Sequence, residues 1–265
     1  MPKLEDAVLV ELHRAASLAG RPGIVIPSRD LASADQLTGN RARTKAATGR
    51  LVRAGKVLPV RRDLLVMPDQ AGIVTASLVD LIDAVAPRPY LITGGRALQA
   101  HDLTNQHYFS VTVLVPGRVD DFSYRGERTA FLNTAPGRIW GSARDTGPQY
   151  ASVERALLDA LSHARYGVSV PQAAGALRLG VRRDQGLLGR LLEAVRRYGE
   201  AATARRVGLL VDGLFGRNAS APFAALVGTR RAVVPLRPNG PTDGVVDTRW
   251  RVLVNVDLWP EDGAA

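Results

Sequence analysis

The stretch that decides the fold of this chain runs Asn40-Arg-Ala-Arg-Thr-Lys-Ala-Ala-Thr-Gly-Arg-Leu-Val-Arg-Ala-Gly-Lys-Val-Leu-Pro-Val-Arg-Arg-Asp-Leu-Leu-Val-Met67. Between residues 40 and 62 it holds eight basic residues and no acidic one. Ala47 and Leu51 are spaced to lie on one side of a helix, with Arg41 roughly opposite them. Gly55 is of the residue type that commonly ends helices. The stretch therefore predicts a helix over residues 40–54 that has an apolar face and a basic face.

Two short apolar runs, 57–60 and 64–67, follow this helix and are separated by Arg61-Arg62-Asp63. Such runs predict a hairpin with a basic tip. A basic helix followed by a small hairpin is the pattern of a winged helix-turn-helix, whose helix enters a DNA major groove and whose hairpin tip reaches phosphate or the minor groove. The alternative is a basic helix face that is simply solvated.

The candidate DNA-binding residues are the basic and hydroxyl side chains of this stretch. We expect the first turns of the helix to face the groove, the hairpin tip to grip the backbone, and the end of the helix to add phosphate contacts. Two threonines are either groove-facing or partly buried. The set is Arg41, Arg43, Thr44, Lys45, Thr48, Arg50, Arg53, Lys56, Arg61 and Arg62.

Composition limits the other functions that the chain can have. The 265 residues carry a net charge of +10, which favours a polyanionic partner. Residues 1–68 hold 12 Lys and Arg against 6 Asp and Glu, so they contribute +6 of it. The absence of cysteine excludes disulfides and thiolate metal sites, and the four histidines are scattered, so we expect no metal and no cofactor. Because there is neither a long apolar run nor a signal-peptide pattern, we expect a cytoplasmic protein with no membrane partner.

The remaining pattern predicts two domains, residues 1–68 and 73–265, joined by a Pro- and Gly-containing linker at 68–72. In the first domain, a helix over residues 3–18 precedes a second helix that Ser28 caps. We expect Leu31, Leu37 and Leu51 to seal the helices together.

The second domain is predicted to be α+β, with its sheet early and its helices late. Its basic stretch from Arg178 to Arg206 is either a second anionic contact or solvated helix surface. Strands are expected at 90–92, 107–115, 122–124, 129–132, 139–140, 231–236 and 249–257, and helices at 77–86, 152–163, 170–177, 184–197 and 201–214.

Thr93-Gly-Gly95, between a predicted strand and a predicted helix, resembles the entry to a nucleotidyltransferase site. That chemistry needs carboxylates on the following strand to hold metal ions, and the strand over residues 107–115 has none. The sequence therefore predicts a nucleotidyltransferase-like sheet that is catalytically empty, and a protein that is not an enzyme.

Four further stretches resemble the AbiEi-type antitoxins of bacterial type IV toxin–antitoxin systems. The most specific is the run from Tyr90 to Gln106, which contains Gly94-Gly-Arg-Ala-Leu-Gln-Ala-His-Asp-Leu-Thr104. The others are Ser152–Ala160, Ala204–Leu210 and Arg249–Asn255. Together with the predicted N-terminal winged helix they carry a resemblance that extends over most of the chain.

The resemblance implies a protein that represses its own operon by binding inverted repeats in promoter DNA. It also implies that the larger domain counteracts a toxin with a nucleotidyltransferase fold, without requiring a stable complex with that toxin. Because inverted repeats suggest two copies per site and no long dimerisation helix is evident, we expect a monomer or weak dimer that pairs on DNA. A ligand-responsive regulator and an active nucleotidyltransferase are the alternatives.

Overall fold

A computed structural model describes residues 3–69, 71–143, 147–228 and 232–258. Over these ranges the chain is mixed α and β, which confirms the predicted α+β class. The helices are α1 Leu4–Leu18, α2 Pro27–Thr38, α3 Arg41–Arg53, α4 Leu78–Val85, α5 Gly95–Ala100, α6 Val153–Ser162, α7 Val170–Arg183, α8 Leu187–Tyr198, α9 Ala201–Phe215 and α10 Arg217–Ala224. The strands are β1 Ile24–Val25, β2 Leu58–Arg61, β3 Leu64–Val66, β4 Leu91–Thr93, β5 Ser110–Val115, β6 Ser123–Tyr124, β7 Glu127–Asn133, β8 Val234–Pro235, β9 Val245–Asp247 and β10 Val252–Val254.

The chain forms two compact units whose boundary differs from the expected one. The first unit is Met1–Pro87 with Asp120–Arg128, and the second is Arg88–Val119 with Thr129–Ala265. Helix α4 therefore belongs to the first unit. One reason is that the predicted linker is a tight turn, in which the Asp69 carboxylate accepts hydrogen bonds from the backbone N–H groups of Ala71 and Ile73 at 2.9 and 2.8 Å. Gln70, in the same segment, lies outside the described residues.

The first unit packs α1, α2 and α3 around one apolar cluster. Its members include Val8 and Leu12 of α1, Leu31 of α2 and Leu51 of α3. The unit also contains a three-stranded antiparallel sheet of order β1-β3-β2. The expectation for Leu37 is wrong, because this side chain is 53% exposed. Its position on α2 falls outside the buried stripe, which follows helical spacing from residue 31 to 34 and 38.

The start of α2 also differs from the prediction. Pro27 is its first residue and Ile26 its N-cap, so Ser28 lies inside the helix. No side-chain hydrogen bond caps α2, but the Asp30 carboxylate within the helix accepts the backbone N–H of Ile26 at 2.7 Å. Arg21 pairs with the same buried carboxylate at 2.8 Å. This buried ion pair is satisfied by charge and by hydrogen bonds, as a buried charge requires.

The second unit holds the helices α5 to α10. Its largest apolar cluster gathers side chains from α5 to α10 and includes the fully buried Trp250. A four-stranded sheet has the order β4-β5-β7-β6, of which β6 and the first two residues of β7 belong to the first unit. A small sheet of order β8-β10-β9 lies near the end of the described chain.

Several predicted elements of the second unit are shifted or replaced. Residues 139–140 form no strand, and a 3₁₀ turn at Pro136–Arg138 precedes them. Helix α7 continues to Arg183 rather than ending at 177, and α10 and β9 were not predicted. The last strand region begins at Val234, and Arg231, the expected start, lies outside the described residues. These elements are short, or their apolar residues do not recur at a regular helical or strand spacing. Their stability therefore comes from packing against other elements, which the spacing of apolar residues in the sequence does not reveal.

Candidate nucleic-acid interface

Helix α3 begins and ends as its sequence predicts. The Asn40 side chain accepts the backbone N–H of Ala42 at 2.7 Å, which satisfies one of the free donors at the N-terminus. The helix is continuous over 13 residues, through Gly49. It ends before Gly55, whose φ of +71° is a conformation that glycine adopts without strain.

The inner face of α3 includes both threonines of the candidate set. Thr44 is fully buried and Thr48 is 7% exposed, beside the apolar Ala47 and Leu51. The Thr44 hydroxyl is 2.7 Å from that of Thr38 on α2, and Thr48 donates to the carbonyl of Thr44 at 2.9 Å. Of the two alternatives for these threonines, the groove-facing one is therefore wrong, because their buried hydroxyls join α3 to α2 and to itself.

The outer face of α3 carries four of the eight candidate cations without a carboxylate partner among the described residues. Arg41, Arg43, Lys45 and Arg53 are all exposed. Within the described part of the chain, no carboxylate pairs with any of them. Uncompensated cations on one helix face raise the local positive potential, which attracts a polyanion.

Two other candidates at the end of α3 pair with carboxylates of α1. Arg50 forms an ion pair with Glu5, and Lys56 lies 2.9 Å from Asp6. A hydrogen bond from its own backbone N–H and a second from Arg50 hold the pKa of Glu5 below its ordinary value. These pairs link α1 to the end of α3, so Arg50 and Lys56 would have to leave their carboxylate partners in order to bind a ligand. No local pattern could have shown this, because the partners lie 45 and 50 residues apart.

The two arginines of the β2–β3 turn have different surroundings. Arg61 donates to the backbone carbonyl of Asp120 at 2.6 Å and to the Asp63 carboxylate at 3.2 Å. Its guanidinium also lies over the Phe122 ring, 5.3 Å from the centroid. Arg62 is exposed, and the described residues give it no ion-pair partner. Only Arg62 therefore matches the expected free cation at the hairpin tip.

Small residues lie along the middle of the exposed face of α3. At 3.6 residues per turn, Ala42, Ala46 and Gly49 lie opposite the buried Ala47 and Leu51. Arg41 and Lys45 then flank this line on one side, and Arg43 flanks it on the other. A helix with this profile can approach a surface closely with its axis while long side chains reach outward on both sides.

The basic stretch of α7 to α9 is mostly engaged within the second unit. Arg205 and Arg206 are buried, and Arg206 donates to the carbonyls of Pro235 and Leu161 at 2.8 and 3.1 Å. Arg190 pairs with Glu154 at 2.6 Å. The other arginines with described partners are Arg183, Arg196 and Arg197, whereas Arg178 and Arg182 are exposed.

The Gly94-Gly95 turn is filled by the protein itself. A Cβ at Gly94 would lie 2.2 Å from the carbonyl oxygen of Tyr166, and one at Gly95 would lie 2.2 Å from the Tyr108 ring. Gly94 also has a φ of +64°. Close packing and backbone conformation therefore account for both glycines without a bound phosphate. Nearby, the ring Nε2 of His101 lies 2.8 Å from the carbonyl oxygen of Ala151, which gives this histidine a structural partner.

The described residues lack two features, a cluster of metal ligands and a membrane-spanning helix. None of their His, Asp and Glu side chains form a group of three or more that could hold a metal ion. None of their helices is both long enough and apolar enough to cross a membrane.

Comparisons with known proteins show the fold of the chain. No family model and no curated protein matches it. It is similar in structure to the crystal structure of the RV2827C protein from Mycobacterium tuberculosis, with a TM-score of 0.62 over 96% of this chain and 92% of that one. The two sequences are 14% identical over the match. The two proteins therefore share an arrangement of helices and strands over nearly the whole chain. At that identity the shared fold says nothing about the function of this chain.

Proposed function

We propose that the first unit is a winged helix-turn-helix that binds double-stranded DNA through α3. We further propose that the chain is a non-enzymatic antitoxin, which represses its own operon by binding inverted repeats in promoter DNA. The observation that carries the DNA-binding part is a set of exposed cations on α3 and in the β2–β3 turn for which the described residues provide no carboxylate partner: Arg41, Arg43, Lys45, Arg53 and Arg62.

The shape of α3 supports docking in a major groove. The groove is wide enough for a helix, and the line of Ala42, Ala46 and Gly49 lets the backbone approach base edges closely. Arg41 and Lys45 on one flank and Arg43 on the other are placed for the two phosphate chains that border the groove. Phosphate contacts of this kind fix the register of a protein on DNA, and base-edge contacts supply specificity.

Fluorescence anisotropy with labelled duplexes tests DNA binding. The full-length protein is titrated against its own upstream DNA and against a scrambled duplex of the same length, at several salt concentrations. Five neutralised phosphates give a log–log salt slope of about −4.5 per bound chain. Preference for the upstream DNA together with this slope supports the proposal, and equal, weak binding to both duplexes contradicts it.

Variants separate specificity from general attraction. Arg43→Ala should weaken binding to both duplexes about equally and flatten the salt slope by about 0.9, because Arg43 is placed against a phosphate chain. A loss confined to the upstream duplex would mean that Arg43 contacts a base. Arg14→Ala is the matched control, because this exposed arginine on α1 is already paired with Glu11 at 2.6 Å and its loss changes the net charge equally. The control should bind like the wild type.

The antitoxin part of the proposal derives from the family resemblance and is tested separately. The protein is co-expressed with the product of a neighbouring gene that encodes a nucleotidyltransferase-fold toxin, and growth is measured. Rescue by both the wild type and Arg43→Ala would assign antitoxicity to a part of the chain other than α3. Failure of the wild type to restore growth would refute the antitoxin role and leave DNA binding intact.

A further inference from the structure

The second unit contains a polar cavity that DNA binding by α3 does not use. Its volume is about 160 Å³, and its wall is formed by the ends of β5, β7, α6 and α8 together with the 3₁₀ turns Pro136–Arg138 and Ala164–Tyr166. Drug-sized ligands occupy pockets of about 300–1,000 Å³, so this one fits a smaller ligand. Its charged and aromatic lining residues are Arg138, Arg155, His163, Arg165, Tyr166, Tyr198 and Glu200.

The innermost cation of the cavity is held in place by the core. Arg155 is 2% exposed, and its Nε donates to the fully buried Asp159 carboxylate at 3.0 Å. Asp159 also accepts hydrogen bonds from Thr93 at 2.6 Å and from Tyr198 at 3.0 Å. The Arg155 guanidinium lies over two rings, 4.6 Å from the Trp140 centroid and 5.1 Å from that of Tyr198. It is therefore preorganised, and a ligand does not have to order it.

The cavity has more positive than negative charge. Three arginines line it. Arg155 pairs with the Asp159 carboxylate, and Arg138 pairs with the Glu200 carboxylate at 2.5 Å. Arg165 is exposed and lies over the Tyr166 ring, and the described residues provide no carboxylate that pairs with it. One positive charge at the mouth therefore remains to be balanced by an anion.

Neutral hydrogen-bond donors add to this charge. His163 Nδ1 accepts the backbone N–H of Arg165 at 3.0 Å, which places the proton of the neutral ring on Nε2. Burial first, and then the negative charge of Asp159, raise the pKa of Tyr166, so this phenol stays protonated at neutral pH and can donate. The Tyr198 hydroxyl is already donated to Asp159.

We propose that this cavity binds a phosphoryl group, either as inorganic phosphate or as the terminal phosphate of a larger molecule. Guanidinium groups at several sides suit a tetrahedral dianion, whose oxygens accept in several directions, better than a planar carboxylate, which one arginine can satisfy. The small volume admits the phosphoryl group and the few atoms next to it.

Calorimetric titration of the full-length protein with inorganic phosphate tests the proposal, at constant ionic strength with chloride and acetate as competing anions. Arg165→Ala is the informative variant, because its exposed side chain contributes little to the fold. Arg178→Ala is the matched control, since it removes an exposed arginine of α7 that does not line the cavity. We expect Arg165→Ala to weaken phosphate binding about 10- to 100-fold, the loss of one charge-assisted hydrogen bond, and Arg178→Ala to leave it unchanged.

A second series identifies the source of the phosphoryl group. A 5′-phosphorylated dinucleotide and its unphosphorylated form are titrated against the same three proteins. Arg165-dependent binding that is tighter for the phosphorylated dinucleotide than for inorganic phosphate assigns the site to a terminal phosphate, and the reverse order assigns it to the free anion. The proposal is overturned if phosphate binds no more tightly than acetate and the phosphorylated dinucleotide binds no more tightly than its unphosphorylated form. It is also overturned if Arg165→Ala and Arg178→Ala lose phosphate affinity equally.

Discussion

Replacing Gly49 with alanine tests two properties of α3, its stability as a helix and its close approach to DNA. Gly49 lies inside the helix, its φ is not in the positive range, and a Cβ built on it meets no atom within 4 Å. Alanine is more favourable than glycine inside a helix by about 0.8–1.0 kcal/mol, since the unfolded chain loses less backbone freedom. Amide hydrogen exchange of residues 41–54, followed by mass spectrometry, should therefore slow about four- to fivefold if it proceeds through opening of α3.

The same substitution should weaken binding to the upstream DNA. The new methyl group lies in the middle of the exposed face, between Ala42 and Arg53, where the helix is proposed to come closest to the bases. An extra methyl group in a well-packed contact costs about 1–3 kcal/mol. The variant should thus be more stable and yet bind less tightly, a combination that general damage to the fold cannot produce.

Gly175→Ala in α7 is the matched control. It is also a glycine inside a helix, and a Cβ there meets no atom within 4 Å. It should slow exchange in α7 and leave DNA binding unchanged. Unchanged or faster exchange in α3 of the Gly49→Ala protein would refute the helix-propensity argument. Slower exchange with full affinity for DNA would show that α3 does not dock through this face.

Three further changes test other contacts. Gly208→Ala should lower the free energy of unfolding by about 1–3 kcal/mol or more, because the new Cβ would lie 2.0 Å from the buried Trp250 ring; tryptophan fluorescence in a urea titration measures it. Asp212→Asn should cost about 1.5–3 kcal/mol at pH 7. Burial raises the pKa of Asp212, but hydrogen bonds, the first from Trp250, and the charge of Arg249 outweigh it and hold the pKa below its ordinary value. The wild type should therefore lose this advantage as the pH falls through that lowered pKa, whereas equal acid sensitivity of the two proteins would contradict the assignment. Glu5→Gln should release Arg50 from its ion pair and steepen the salt slope of DNA binding by about 0.9, and an unchanged slope would show that Arg50 does not reach DNA.

Elements with a strong local pattern were predictable from the sequence. Helix α6 begins after Ser152, whose hydroxyl accepts the backbone N–H of Arg155, and the helix extends over nearly all of its predicted range. In α3 the cap, the apolar face and the final glycine all lie within 16 residues of sequence. Capping and helical periodicity act between residues three or four positions apart, so the sequence displays them directly.

Features that depend on contacts between distant segments were not predictable. The segment Asp120–Arg128 joins the first unit through contacts such as that between Arg125 and the carbonyl of Val74, 2.6 Å apart. The polar cavity of the second unit combines side chains from residue 114 to residue 200. Neither follows from a local pattern, because periodicity reports which face of an element is buried but not which other element covers it.

Contacts with distant segments also reduce the number of cations in the basic stretch that are free to bind phosphate. The sequence offers eight cations between residues 40 and 62, and if all of them neutralised phosphates the salt slope would be about −7. Arg50, Lys56 and Arg61 already contact Glu5, Asp6 and the carbonyl of Asp120. Five cations then remain and give a slope of about −4.5. A measured slope near −7 would mean that DNA breaks these internal contacts on binding, and one near −4.5 would mean that they hold the end of α3 and the hairpin in place while the free cations bind.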